Sequence, residues 1–139
     1  SGEVHDELVE TAQLTSLEFV VNNNLDPWLE EALELLTPNQ RAHVINSQVS
    51  LRGARNPNGI VMNRIRQVTP VHQRIDIFSK INNLGAGVMS RLEGLTEEQA
   101  DAVMESGFKI MKATNPSGVA VKRINDVLAT YGGRAGRDR

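Results

Sequence analysis

The feature that most constrains this chain is that it matches itself. Sliding the sequence by 59 residues aligns Phe19 through Val68 with Phe78 through Val127 without a gap, and eighteen of the fifty paired positions are identical. The matches include Asn23-Asn24-Leu25 with Asn82-Asn83-Leu84, Leu33-Glu34 with Leu92-Glu93, Leu36-Thr37 with Leu95-Thr96, Gln40 with Gln99 and Val44 with Val103. The closing motif repeats most clearly. Asn56-Pro57-x-Gly59 followed by Arg64-Ile65 and Val68 becomes Asn115-Pro116-x-Gly118 followed by Arg123-Ile124 and Val127. A fixed period of this size marks duplicated supersecondary units that stack to bury their apolar faces, each too small to complete a core alone.

Each unit reads as helices joined by short connections. Val4 to Val21 places Val4, Leu8, Ala12, Leu17 and Val21 at helical spacing, as one helix or two broken near Thr15. Asp26-Pro27 has the form of an N-cap followed by proline at the first helical position, and the helix it starts should reach about Leu36, burying Trp28, Leu29, Ala32, Leu33 and Leu36. Thr37-Pro38-Asn39-Gln40 and Thr96-Glu97-Glu98-Gln99 are two capping boxes, in which the threonine hydroxyl takes a free N–H of the first turn while the glutamine reaches back. Asn56-Pro57 and Asn115-Pro116 start the last helix of each unit by cap plus proline. Between the copies, Val71 to Leu84 reads as a helix with Ile75, Ile77, Phe78 and Ile81 on its apolar face; only 48–55 and 107–114 are ambiguous.

Aromatics make up 4% of the chain, so Leu, Val, Ile, Ala and Met must fill the core, which favours helices over a sandwich or barrel. The fold class expected is all-α, a tandem duplication of a small multi-helix unit stacked into one helical domain. Its organisation is an N-terminal helix over 1–18, repeats over 19–68 and 78–127, a connection over 69–77, and a helix end with a flexible Gly/Arg-rich tail over 128–139. The opening Ser1-Gly2 and the tail read as the ends of a piece of something longer.

The net charge of -2 conceals blocks of alternating sign. Residues 1–36 hold nine acids and no Lys or Arg; 37–92 hold eight bases against Asp76; 93–108 hold five acids; and 109–139 hold seven bases against Asp126 and Asp138. An acidic balance therefore does not exclude an anionic partner. Zero cysteines exclude a disulfide scaffold, thiolate zinc and cysteine catalysis. No apolar run approaches the roughly 20 residues of a membrane span. His5, His43 and His72 lie on separate elements without a carboxylate at metal-ligand spacing, and acid pairs such as Glu30-Glu31 and Glu97-Glu98 suit helix first turns, where the dipole favours them. With no phosphate-binding glycine loop after a strand and no nucleophile elbow, the expectation is no enzyme, no cofactor, no metal and no membrane.

The residues point instead to binding. Arg52 and Arg55 precede the first Asn-Pro helix and Arg64 and Arg66 lie along it; Lys109 and Lys112 precede the second, with Lys122 and Arg123 along it. Cations beside a helix start suit phosphate. Arg134 and Arg137, spaced by glycines in the tail, could track a nucleic-acid backbone. A competing reading has Asn56 and Asn115 acting as caps only, with Arg64 and Arg123 paired to Glu34 and Glu93 inside the fold. Trp28, one position inside a helix start, reads as a core anchor before a stacking platform.

The spaced leucines, Gln40/Gln99, Val44/Val103 and the Asn-Pro-x-Gly-x-x-x-x-x-Ile closing helix resemble a small helical repeat that accompanies RNA-binding domains. The pattern is similar to the N-terminal acidic helical domain of heterogeneous nuclear ribonucleoproteins Q and R, over about 19–68 and 78–127. Asn115-Pro116-Ser117-Gly118 fits the family's Asn-Pro-Ser-Gly, whereas Asn58 stands where the serine belongs in the first copy. The resemblance implies a helical accessory module of an RNA-associated protein, contacting RNA, a protein partner, or both, and supplies no catalytic residues. The expected location is intracellular, nuclear or cytoplasmic, and RNA contact through phosphate neutralisation would carry little base specificity. The alternative class is a protein scaffold holding a partner helix in a groove between the repeats, lined by Met62, Met89, Met104 or Met111.

Overall fold

Each unit is organised by side chains that satisfy the loose backbone groups at helix ends. The computed structural model describes residues 14–47 and 50–132, and all regular structure among them is helical, as composition and spacing imply. The chain divides into two units, one ending at Thr69 and one beginning at Pro70. Unit 1 contains α1 (Ser16–Asn22), α2 (Trp28–Glu34), α3 (Pro38–Ile45) and α4 (Pro57–Val68). Unit 2 contains α5 (Val71–Ile81), α6 (Ala86–Glu93), α7 (Glu97–Glu105) and α8 (Pro116–Val127), followed by a π-helical turn over Leu128–Gly132.

The expected capping boxes form in both units. Thr37 Oγ1 accepts from the Gln40 N–H at 3.2 Å while Gln40 Oε1 accepts from the Thr37 N–H at 3.0 Å, and Thr96 with Gln99 repeats this at 3.1 and 3.0 Å. Thr15 and Glu18 make a third box, so the chain breaks at Thr15 and α1 starts there; the part of the expected helix before residue 14 lies outside the described residues. The Gln40 amide also donates to the Val68 carbonyl at 2.9 Å, tying the start of α3 to the end of α4.

Other boundaries differ from the sequence reading. Asp26 does not cap: α2 begins at Trp28 with Pro27 before it and no side-chain cap, and the Asp26 carboxylate accepts instead from the Trp28 indole at 3.3 Å. Trp28 is consequently half-buried, not an anchor of the core, while Leu29, Ala32 and Leu33 are fully buried. The repeat edges at Phe19 and Phe78 fall inside α1 and α5, so 69–77 is mostly the first part of a helix and not a connection. Identity starts at Phe19 and Phe78, although Ser16 before the one and Ile75 and Ile77 before the other are already buried.

Both helices end alike. Asn24 and Asn83 take φ of 54° and 55°. The Leu25 and Leu84 N–H groups then bond to Val20 and Ser79 carbonyls at 2.9 Å, and the Asn24 and Asn83 N–H groups to Val21 and Lys80 carbonyls at 3.2 Å. This is the Schellman closure, with asparagine in the left-handed position that glycine usually fills.

In unit 1, α1 packs on α2 and α3 on α4; in unit 2, α5 meets α6 and α7, and α8 meets α6 and α7. Buried residues recur at the 59-residue spacing: Phe19 and Phe78, Leu33 and Leu92, Val44 and Val103, Ile65 and Ile124. Each such side chain contributes about 1.5–3 kcal/mol on burial. Unit 2 adds Phe108, its ring tilted 60° against Phe78 with centroids 5.4 Å apart.

Candidate nucleic-acid interface

The motif Asn-Pro-x-Gly explains itself at atomic scale. Asn56 Oδ1 accepts from the Gly59 N–H at 3.1 Å, and Asn115 Oδ1 from the Gly118 N–H at 3.2 Å, so both asparagines cap their helices. The cap amide lies over the glycine: a Cβ on Gly59 would sit 2.5 Å from Asn56 Nδ2 and force it to move, whereas one on Gly118 would sit 3.1 Å from Asn115 Nδ2, a tight contact that a slight shift relieves. The intervening residue fastens the helix start to a distant loop. Asn58 Oδ1 accepts from the Asp26 N–H at 2.7 Å, and Ser117 Oγ from the Gly85 N–H at 3.2 Å. Asn58 thus makes the same contact as Ser117, with a carboxamide oxygen in place of a hydroxyl.

Before α4, Leu51 is buried and the Ala54 N–H bonds its carbonyl at 3.1 Å, with Gly53 at φ 77° making the turn. The anchored leucine and the turn leave Arg52 and Arg55 exposed. Both line a cavity of about 640 Å³ within unit 1, together with Asn22, Asn24, Ser50 and Asn58; among the described residues none that lines it is acidic. Among the described residues neither guanidinium has a side-chain partner.

The other expected contacts are mostly engaged in the fold. Arg64 donates to the Val44 carbonyl at 3.3 Å. Arg123 donates to the Val103 and Gly107 carbonyls at 3.2 and 2.7 Å, so each arginine closes the C-terminal end of the preceding helix. Burial lowers the pKa of both guanidiniums from the ordinary arginine value, though arginine stays charged. Glu34 and Glu93 are therefore not their partners: Glu34 accepts from the Ser16 hydroxyl and lies 3.7 Å from Arg41 Nε, and Glu93 lies 3.9 Å from His72 Nδ1. Lys109 Nζ donates to the Ile81 carbonyl at 2.7 Å. Lys122 pairs with Asp126 at 3.3 Å. Arg66 and Lys112 are exposed, Lys112 at φ 58°, while Arg134 and Arg137 lie outside the described residues.

The two basic loop clusters do not occupy matching positions. At the 59-residue spacing Arg52 and Arg55 correspond to Met111 and Thr114, while Lys109 and Lys112 correspond to Ser50 and Gly53. The cation common to both units, Arg64/Arg123, is a helix clamp.

No family model, curated protein or solved structure matches this chain.

The internal comparison extends to the face formed by α3 and α4. A second cavity of about 550 Å³ there is lined by Asn39, His43, Asn46, Arg64 and Gln67. In unit 2 the positions of Asn39, Ala42, Asn46 and Gln67 carry Glu98, Asp101, Glu105 and Asp126. Asp101 faces the buried Arg74 at 3.2 Å. Among the described residues no group of His, Cys, Asp and Glu could hold a metal ion, and no helix is long and apolar enough to cross a membrane. Of the methionines, Met104 is buried, Met62 and Met89 are half-buried, and Met111 is exposed. Sequence spacing does not place Asn22, Asn24 and Asn58 beside Arg52, because that placement depends on the Schellman turn and on a contact 32 residues away; the local hint is a hydrogen-bonding residue at both 58 and 117.

Proposed function

We propose that this chain is a non-catalytic binding module of an RNA-associated protein, intracellular, and that it contacts RNA phosphates through unit 1. The resemblance to the acidic helical domain of ribonucleoproteins Q and R belongs to the same proposal. The observation that carries it is the pair Arg52 and Arg55, exposed on one cavity whose lining, among the described residues, holds no carboxylate. From residue 37 to 69 the chain has no acid, and of its five arginines Arg41 and Arg64 are held on backbone carbonyls while Arg52, Arg55 and Arg66 are exposed. Such a surface neutralises phosphates, and on a single strand log K falls with log salt at a slope of about -0.7 per phosphate.

Fluorescence anisotropy with labelled single-stranded RNA over a salt series tests this. Binding at low salt should weaken steeply as salt rises, and Arg52→Glu with Arg55→Glu should abolish it while circular dichroism stays unchanged. Undetectable binding at low ionic strength ends the proposal. A protein partner is the second reading, favoured by the exposed Leu14, Leu17 and Val21 at one end of unit 1; a partner on that face would bind with little salt dependence.

A further inference from the structure

The cavity beside Arg52 and Arg55 is too large and too mixed in chemistry for a phosphate alone. Its volume of about 640 Å³ falls in the range of sites that enclose a whole small molecule, roughly 300–1,000 Å³. Guanidinium groups only donate hydrogen bonds and phosphate oxygens at neutral pH only accept them, so two arginines would complete a phosphate site. The lining goes further, with carboxamides that offer donors and acceptors together. Asn22 and Asn24 are exposed, with no side-chain hydrogen bond among the described residues. Asn58 uses its Oδ1 on the Asp26 N–H at 2.7 Å, which leaves its Nδ2 as a donor. An acceptor in the lining has no use for a phosphate and suits the amino and imino groups of a nucleobase edge.

Resting on the phosphate reading above, we propose that the unit 1 cavity takes one unpaired nucleotide whole, its base edge on the carboxamides and its phosphate on the arginines. The nucleotide must be unpaired, since a duplex hides the edge that the carboxamides would read. Among the described residues the lining holds no aromatic ring, so stacking falls to the plane of an arginine. Unit 2 serves as the contrast built into the same chain. Where unit 1 has Asn22, Arg52 and Arg55, unit 2 has the buried Ile81, Met111 and Thr114, and the Lys109 amine is drawn onto the Ile81 carbonyl. The site therefore belongs to unit 1 alone, and it reads base identity where phosphate contacts could not.

The test uses the whole chain and competition against labelled single-stranded RNA by three unlabelled probes: the same RNA, an abasic ribose-phosphate strand of equal length, and duplex RNA. The abasic strand and the duplex should compete about tenfold less well than the single strand, the scale of one lost base contact. Asn22→Ala is the informative variant, because Asn22 is exposed at the end of α1 and alanine favours helix. It should weaken single-stranded RNA about fivefold or more, a lower bound for one edge contact, and leave affinity for the abasic strand unchanged. Equal competition by the abasic strand, or an Asn22→Ala variant that binds RNA like the parent, overturns the nucleotide site and leaves phosphate binding standing. RNA binding that survives Arg52→Glu with Arg55→Glu overturns both.

Discussion

Between residues 37 and 69 unit 1 carries five arginines and no acid, whereas the matching stretch 96–128 of unit 2 carries five acids and four bases. Yet the two stretches share their capping boxes, their Asn-Pro caps, the glycine under each cap, the arginine that clamps the preceding helix and the strap to a distant N–H. What the units have in common is backbone satisfaction; what separates them is surface charge. Positions occupied alike, such as Asn56/Asn115 and Arg64/Arg123, serve folding, and the exposed positions that differ, such as Arg52/Met111 and Arg55/Thr114, set the surface each unit offers a partner.

The largest test of that division sits at Asn23 and Asn82. Both amides donate to a carbonyl four residues back, at 2.9 Å, but the buried Asn82 also donates to the Phe108 carbonyl at 2.8 Å and accepts from the Ile110 N–H at 2.7 Å. Asn82→Ala should cost about 2–3 kcal/mol in urea unfolding, because a buried N–H loses its partner, against about 1 kcal/mol for Asn23→Ala. Equal costs would mean that the loop before α8 does not depend on Asn82.

Two smaller effects sharpen the comparison at glycine positions. Lys112 holds the left-handed conformation that Gly53 holds in unit 1. Lys112→Gly should raise stability by about 1 kcal/mol, and Gly53→Lys should lower it by a similar amount, measured by thermal unfolding. Under the caps the difference is subtler. Gly59→Ala must displace the Asn56 amide and should fall about 1 kcal/mol below Gly118→Ala, since the 3.1 Å approach at Gly118 yields to a slight shift while helix propensity improves. Chemical denaturation of the two variants side by side reads the gap, and a reversed order would contradict the cap geometry.

How much of this was legible in sequence follows the range of each interaction. Capping boxes and Asn-Pro caps act within three residues, so Thr37, Thr96, Asn56 and Asn115 could be read directly. Asp26 misled because its carboxylate had a rival donor in Trp28, two residues on. Cations were harder: Lys109 and Arg52 look alike in the chain, and only the fold shows that one reaches a carbonyl 28 residues away while the other stands on an open cavity. The helix bounds at α1 and α5 were blurred because identity between the copies begins inside those helices.

The strap at Asn58 and Ser117 accepts a carboxamide or a hydroxyl, and with the cap beside it pins the downstream end of the arginine loop. Leu51, sunk among the apolar side chains, pins the upstream end. Apart from Gly53, whose left-handed turn is fixed, the short stretch from Arg52 to Arg55 is thereby an interchangeable insert, free to vary its side chains while the helices around it hold still. A library randomised there, with Leu51, Gly53 and Asn56 retained, would yield folded variants with altered ligand preference, which makes this loop the natural place to engineer the protein.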